Sequence, residues 1–193
     1  MKKVLVVVDV QKDFYHPDGA LYVKGGEVLP ERIAKVIPEF DDVIFTVDWH
    51  PYNHCSFKEN GGIWPVHCVQ YTDGASLPNE FKSYLKYSKV INKGIARYEE
   101  EYGVNPATLV EACCWRSDEE YEMVFCGIAG DYCVRETIEN VRIGKKAVKF
   151  YRFFDNYPSK ISVYLDGVAS IDDGTTIREY MKENNIEEWK SQK

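Results

Sequence analysis

Met123-Val124-Phe125-Cys126-Gly127-Ile128-Ala129-Gly130-Asp131-Tyr132-Cys133-Val134-Arg135-Glu136-Thr137 carries two periodicities separated by a single break. The first part is a continuous apolar run of β-forming side chains, the pattern of a strand covered on both faces. The run stops at Gly130-Asp131, a turn-forming pair whose Asp can cap a helix. Beyond it Val134, Ile138 and Val141 recur at helical spacing with charged residues between them. A buried strand that turns directly into an amphipathic helix is the repeating unit of an α/β sheet. Cys133 falls on that turn, where free backbone N–H groups and the positive end of the helix dipole favour a thiolate and can hold an oxyanion. A Cys after an apolar strand is equally at home as a small buried hydrophobe. The turn alone leaves both readings open.

Working outward, two more apolar runs end in the same way. Val4-Leu5-Val6-Val7-Val8 stops at Asp9, and Val43-Ile44-Phe45-Thr46-Val47 stops at Asp48-Trp49-His50. Val90-Ile91-Asn92-Lys93-Gly94 is a shorter strand that closes on a lysine. In an open parallel sheet, ligands bind beyond the carboxyl ends of the strands, so Asp9, Asp48, Lys93 and Cys133 all stand where a crevice would form. Each has an ordinary alternative: Asp9 as a turn or capping residue, Lys93 as a solvated surface charge. Placed together, the lysine would hold the carboxylate and the sulfur by Coulomb attraction.

Three of the four histidines, His50, His54 and His67, lie within eighteen residues of one another. Asp48 and His50 alternate by two and so share one side of a strand end. With His67 on a loop able to fold back, they make a divalent metal site of the open, catalytic type. Scattered loop histidines are the plain alternative. A structural Cys/His zinc knot built on His54-Cys55 and His67-Cys68 is a further one, but its spacing matches no common zinc-finger pattern and leaves Asp48 and His50 unexplained.

The 193 residues suit one α/β domain spanning 1–193. A net charge of −7 without a Lys/Arg-rich run argues against nucleic-acid binding. The apolar run after Met-Lys-Lys is too short for a signal peptide or a membrane span, so a cytoplasmic protein with no membrane contact is expected. Six cysteines without a secretory signal read as thiols. Helices are expected over about 30–40, 80–87, 105–114, from the Cys133 turn to at least Ile143, and from 175 to 182 with a cap around Asp173. Gly144 and two lysines mark a break, Ala147–Phe154 fits either strand or helix, and Ile161–Asp166 is the last core strand. The final ten residues are polar and expected to fray.

Strand–Asp, strand–Lys and strand–turn–Cys in this order resemble the isochorismatase-like cysteine hydrolases. The carriers are Asp9-Val10-Gln11-Lys12-Asp13-Phe14, Lys93-Gly94 and Gly127-Ile128-Ala129-Gly130-Asp131-Tyr132-Cys133-Val134. Within that superfamily, Asp48-Trp49-His50-Pro51-x-x-His54 and Trp64-Pro65-x-His67-Cys68 resemble the metal-binding branch, the nicotinamidases (pyrazinamidases). The match runs co-linearly over about residues 3 to 143. It implies a single-domain three-layer α/β/α fold with a mainly parallel sheet of five or six strands. It implies an amidohydrolase that cleaves nicotinamide to nicotinate and ammonia through a cysteine thioester, a step of pyridine nucleotide salvage toward NAD. Sister enzymes of the superfamily act instead on other small amide, carbamoyl or ureido compounds.

By the same resemblance Cys133 is the nucleophile, Asp9 its general base and Lys93 their charge partner. Asp48, His50 and His67 bind the metal, with His54 as a possible fourth ligand; Zn²⁺ suits the set, and Fe²⁺ or Mn²⁺ is compatible with it. The Ile128–Ala129 peptide is cis, the N–H groups of Ala129 and Cys133 form the oxyanion hole, and Phe14 and Trp64 sandwich a flat ring. A homo-oligomer is compatible with the family. Two departures stand out: the residues between Lys145 and Lys160 lack a counterpart, and no sixth strand is expected after the final helix.

Overall fold

Each apolar run that ends in a polar side chain becomes a strand of one sheet. The computed structural model describes residues 1–113, 120–148 and 157–192. Its strands are β1 (Lys2–Val8), β2 (Asp42–Asp48), β3 (Lys89–Lys93), β4 (Tyr121–Ile128), β5 (Lys160–Ala169) and β6 (Glu187–Glu188). All neighbours pair in parallel, in the order β3-β2-β1-β4-β5-β6. At the centre Val8 lies opposite Thr46 on one side and Gly127 on the other. The strand order reverses direction between β1 and β4, which opens a crevice at their carboxyl ends.

Alternate side chains of β1 feed two cores, as a strand covered on both faces requires. Leu5 and Val7 pack with Leu29, Ile33 and Val36 of helix α2 (Leu29–Val36), which follows the short α1 (Lys12–Tyr15). Val4, Val6 and Val8 pack against the opposite layer. Leu109 comes there from α4 (Pro106–Ala112), and Ile138 and Val141 from α5 (Arg135–Val148). Ile177 and Met181 come from α6 (Thr175–Glu183). The fold is therefore the expected α/β/α sandwich. The 80–87 region is a 3₁₀ turn followed by α3 (Lys82–Leu85). Asn105 caps α4 through its side chain, which accepts from Ala107 N at 2.9 Å.

Three expectations change. The break expected at Gly144 is absent, since α5 runs on to Val148. A Cβ at Gly144 would press on the Tyr157 hydroxyl and on Pro106, so the glycine admits neighbours rather than ending the helix. The Ala147–Phe154 segment lies outside the described residues from 149 onward. The tail does contribute a sixth strand: β6 pairs with β5, and Trp189 after it is buried against Phe40 and Tyr164, at ring-centroid distances of 4.8 and 5.4 Å. A single tryptophan in a polar tail has no periodicity to announce it. Finally, α6 is capped by Asp172, whose carboxylate accepts from Gly174 N and Thr176 N, and not by Asp173.

Cys55, Cys68, Cys126 and Cys133 are free thiols. Among the described residues no helix is long and apolar enough to cross a membrane.

Candidate active site

Four strand ends supply the site. Asp9 leaves β1 with a φ of 51°, in the left-handed region, and its side chain is fully buried. Thr46 Oγ1 of β2 donates to Asp9 Oδ1 at 2.7 Å. Asp9 Oδ2 pairs with Lys93 Nζ at 2.8 Å. Lys93, at the end of β3, is itself 1% exposed and stands 3.7 Å from Cys133 Sγ. Cys133 sits in a π-helical turn over Gly130–Val134, between β4 and α5. The Ile128–Ala129 peptide before the turn is cis. Carboxylate oxygens of Asp9 and Asp48 and the sulfur of Cys133 all lie within 4.8 Å of one another. The acid, amine and thiol that are 124 residues apart at the extremes of the sequence thus converge on one point.

The electrostatics follow from burial. Burial raises the Asp9 carboxyl and Lys93 only partly offsets it, leaving the group at about 6. Burial also pushes the Cys133 thiol well up, and the pull of Lys93 does not reverse it. Burial thus opposes the thiolate that the helix terminus and Lys93 favour. Lys93 goes the other way. Burial would lower it, but Asp48 and Asp9 together hold it firmly charged.

Asp48 joins this group to a second one. Its Oδ1 contacts Lys93 Nζ. Its Oδ2 lies 3.5 Å from His50 Nε2 and 3.9 Å from His67 Nε2. Burial would raise the Asp48 carboxyl, yet Lys93, His50 and His67 outweigh it and hold it below the usual carboxylate range. His50 Nδ1 lies 2.9 Å from Gly94 O and His67 Nδ1 lies 2.7 Å from Pro65 O. A carbonyl can only accept, so both Nδ1 atoms carry a proton, and both Nε2 atoms face Asp48. Two imidazoles locked by backbone carbonyls and one carboxylate, all buried, are a donor set and outer shell that could hold a divalent metal. Gly94, at φ +62°, is required here, because a Cβ would run into the His50 ring.

His54 is not brought into that set. Its ring stacks on His50 at 4.1 Å, but Nε2 bonds Glu99 O at 2.9 Å and Nδ1 bonds Ser56 Oγ at 2.7 Å. Both nitrogens are engaged, so His54 buttresses His50 where a fourth ligand had been expected.

A cavity opens onto both groups. Phe14, Trp64, Asp48, His67, Ala129 and Cys133 line it, so the two expected ring contacts face the expected nucleophile. Trp64 Nε1 donates to Tyr102 Oη at 2.9 Å, which fixes one wall.

Several supporting residues escaped the sequence reading. Gln11 is fully buried and grips Asp48 at both ends of its peptide unit: Nε2 donates to Asp48 O at 2.8 Å, and Oε1 accepts from Asp48 N at 2.7 Å. Asp13 accepts from Cys68 N at 2.7 Å and so anchors the loop that carries His67. Thr46 and Glu100 were also missed. Gln11 and Asp13 stand inside the Asp9–Phe14 motif, the one signal that could have marked them.

No protein-family model matches the chain. The chain is 36% identical to the nicotinamidase/pyrazinamidase of Mycobacterium tuberculosis, over 72% of this chain and 77% of that protein. Among solved structures it resembles PnC1 from L. infantum in complex with nicotinate, at 32% identity and a TM-score of 0.76, covering 98% of this chain and 92% of that one. It also resembles the pyrazinamidase of Pyrococcus horikoshii in complex with zinc, at 30% identity and a TM-score of 0.71, covering 99% and 100%.

Proposed function

The chain belongs to the nicotinamidase family, and on that footing we propose that it is an amidohydrolase converting nicotinamide and water to nicotinate and ammonia. The observation that carries the reading is the convergence of Asp9, Lys93 and Cys133 beside Asp48, His50 and His67 in one cavity. The whole chain acts as one hydrolase domain, since a single sheet supplies both sides of the crevice.

The substrate ring lies between Phe14 and Trp64. Asp48, His50 and His67 hold a divalent cation, with Zn²⁺ the first choice for two imidazoles and a carboxylate and Fe²⁺ or Mn²⁺ accommodated by the same donors. A cation held there would act as a Lewis acid that orients the pyridine ring and draws electron density from it. Cys133 Sγ attacks the carboxamide carbon as its proton passes to the Asp9 carboxylate. Because burial disfavours a free thiolate, this transfer accompanies attack. The tetrahedral oxyanion faces the Ala129 and Cys133 N–H groups. Asp9 returns the proton to the departing NH₂, which leaves as ammonia and leaves a thioester on Cys133. Water then attacks the thioester while Asp9 takes its proton, and nicotinate departs as the thiol reforms. Lys93 stays charged throughout and keeps Asp9 and the sulfur in register.

The test is ammonia release from nicotinamide. The wild type is expected to turn over, and Cys133→Ala and Asp9→Asn each to lose about 10³-fold or more in kcat. Turnover by either variant at the wild-type rate removes the assigned role.

A further inference from the structure

The glutamates at 99–101 look from the sequence like a solvated charge run, yet the structure ties that loop to the site at three points. Glu99 O accepts from His54 Nε2 at 2.9 Å. Glu101 Oε2 accepts from Gly94 N at 2.8 Å, and Glu101 O lies 3.3 Å from Lys93 Nζ. The bonds fall on either side of Glu100, whose side chain joins Asp48, His67 and Trp64 in the cavity wall.

The charges there do not balance without it. Asp48 is the single carboxylate of the Asp48–His50–His67 set, and its Oδ1 is already committed to Lys93. A divalent cation beside two neutral imidazoles therefore receives less than one full compensating charge from its own ligands. Among buried ligands such an excess is costly, and a second carboxylate within reach relieves it. Glu100 is on the solvent side of the cavity and is not among the donors that lie within ligating distance of one another. Its reach is through water.

We propose that Glu100 is the outer carboxylate of the metal site: it accepts a hydrogen bond from water held on the cation and supplies the second negative charge that the site needs. The proposal rests on the metal-site reading of Asp48, His50 and His67. The groups acting on Glu100 agree with its position, since partial desolvation raises its carboxyl while His50 pulls it down and Asp48 raises it. Glu99, next in the chain, contributes only its carbonyl to this network and serves as the control.

The experiment is Zn²⁺ affinity of the purified full chain, measured by competition with a chromophoric chelator, together with the unfolding midpoint of the metal-free protein. Glu100→Gln is expected to weaken Zn²⁺ binding about tenfold, in the range seen for outer-shell partners of metal sites. Glu100→Asp, which keeps the charge, and Glu99→Gln are expected to bind like the wild type, and the metal-free midpoints to be unchanged. Unaltered affinity in Glu100→Gln, or an equal loss in Glu99→Gln, overturns the proposal. Asp48→Ala separates the two levels: if it still binds one equivalent of Zn²⁺ at wild-type affinity, the metal-site reading itself has failed.

Discussion

Asp9 illustrates how much one residue depends on neighbours that the sequence cannot display. Its place after β1 was legible, because an apolar run ending in a carboxylate needs no partner to be noticed. Its acidity was not, because the burial that raises it and the Lys93 ammonium and Thr46 hydroxyl that partly offset it depend on neighbouring strands. As proton acceptor Asp9 must be ionised, so kcat/KM is expected to fall as pH drops through about 6. The Thr46 hydrogen bond favours the carboxylate, so removing it raises the carboxyl further. Thr46→Val is expected to move the acid limb of the kcat/KM profile up by about one unit, and an unmoved limb would show that another group controls it. Lys93, Asp48 and His50 stood out for the same reason as Asp9, Cys133 by its strand-to-helix turn, and His67 only as a histidine on a loop able to fold back. Gln11, Asp13 and Glu100 were not, since their roles lie in contacts between segments far apart in the chain.

At the scale of elements, strands ending at Asp9, Asp48 and Lys93 follow the sequence pattern to within a residue or two. Continuous apolar runs with polar stops leave few alternatives. Helix ends followed it less well. Gly144 looked like a terminator, but a glycine that admits Tyr157 and Pro106 has the same letter as one that ends a helix. The tail was read as frayed from its polarity, whereas β6 and the buried Trp189 close the sheet's far edge. Trp189→Ala removes a ring packed between Phe40 and Tyr164 and is expected to cost about 3 kcal/mol in denaturant unfolding. A change within error would mean that the tail adds nothing to the fold.

For the whole molecule, the strand order is what turns separate residues into a site. Reversal of direction between β1 and β4 opens the crevice, and the ends of β1, β2, β3 and β4 each place a functional side chain at it. Asp48 then links the two halves, with Lys93 on one carboxylate oxygen and the two imidazoles on the other. Activity and stability should therefore follow the metal together. Removing it with a chelator is expected to abolish ammonia release and lower the unfolding midpoint, and added Zn²⁺ to restore both. Full turnover by metal-free protein would contradict the assigned role of the Asp48–His50–His67 group.

The central claim is that the sulfur at the β4–α5 turn carries the acyl group. Intact-protein mass spectrometry of acid-quenched turnover with nicotinamide, followed by peptide mapping, tests it most directly. A nicotinoyl adduct on Cys133, absent from Cys133→Ala, is the result expected; an adduct on another residue, or turnover by Cys133→Ala at the wild-type rate, would contradict it.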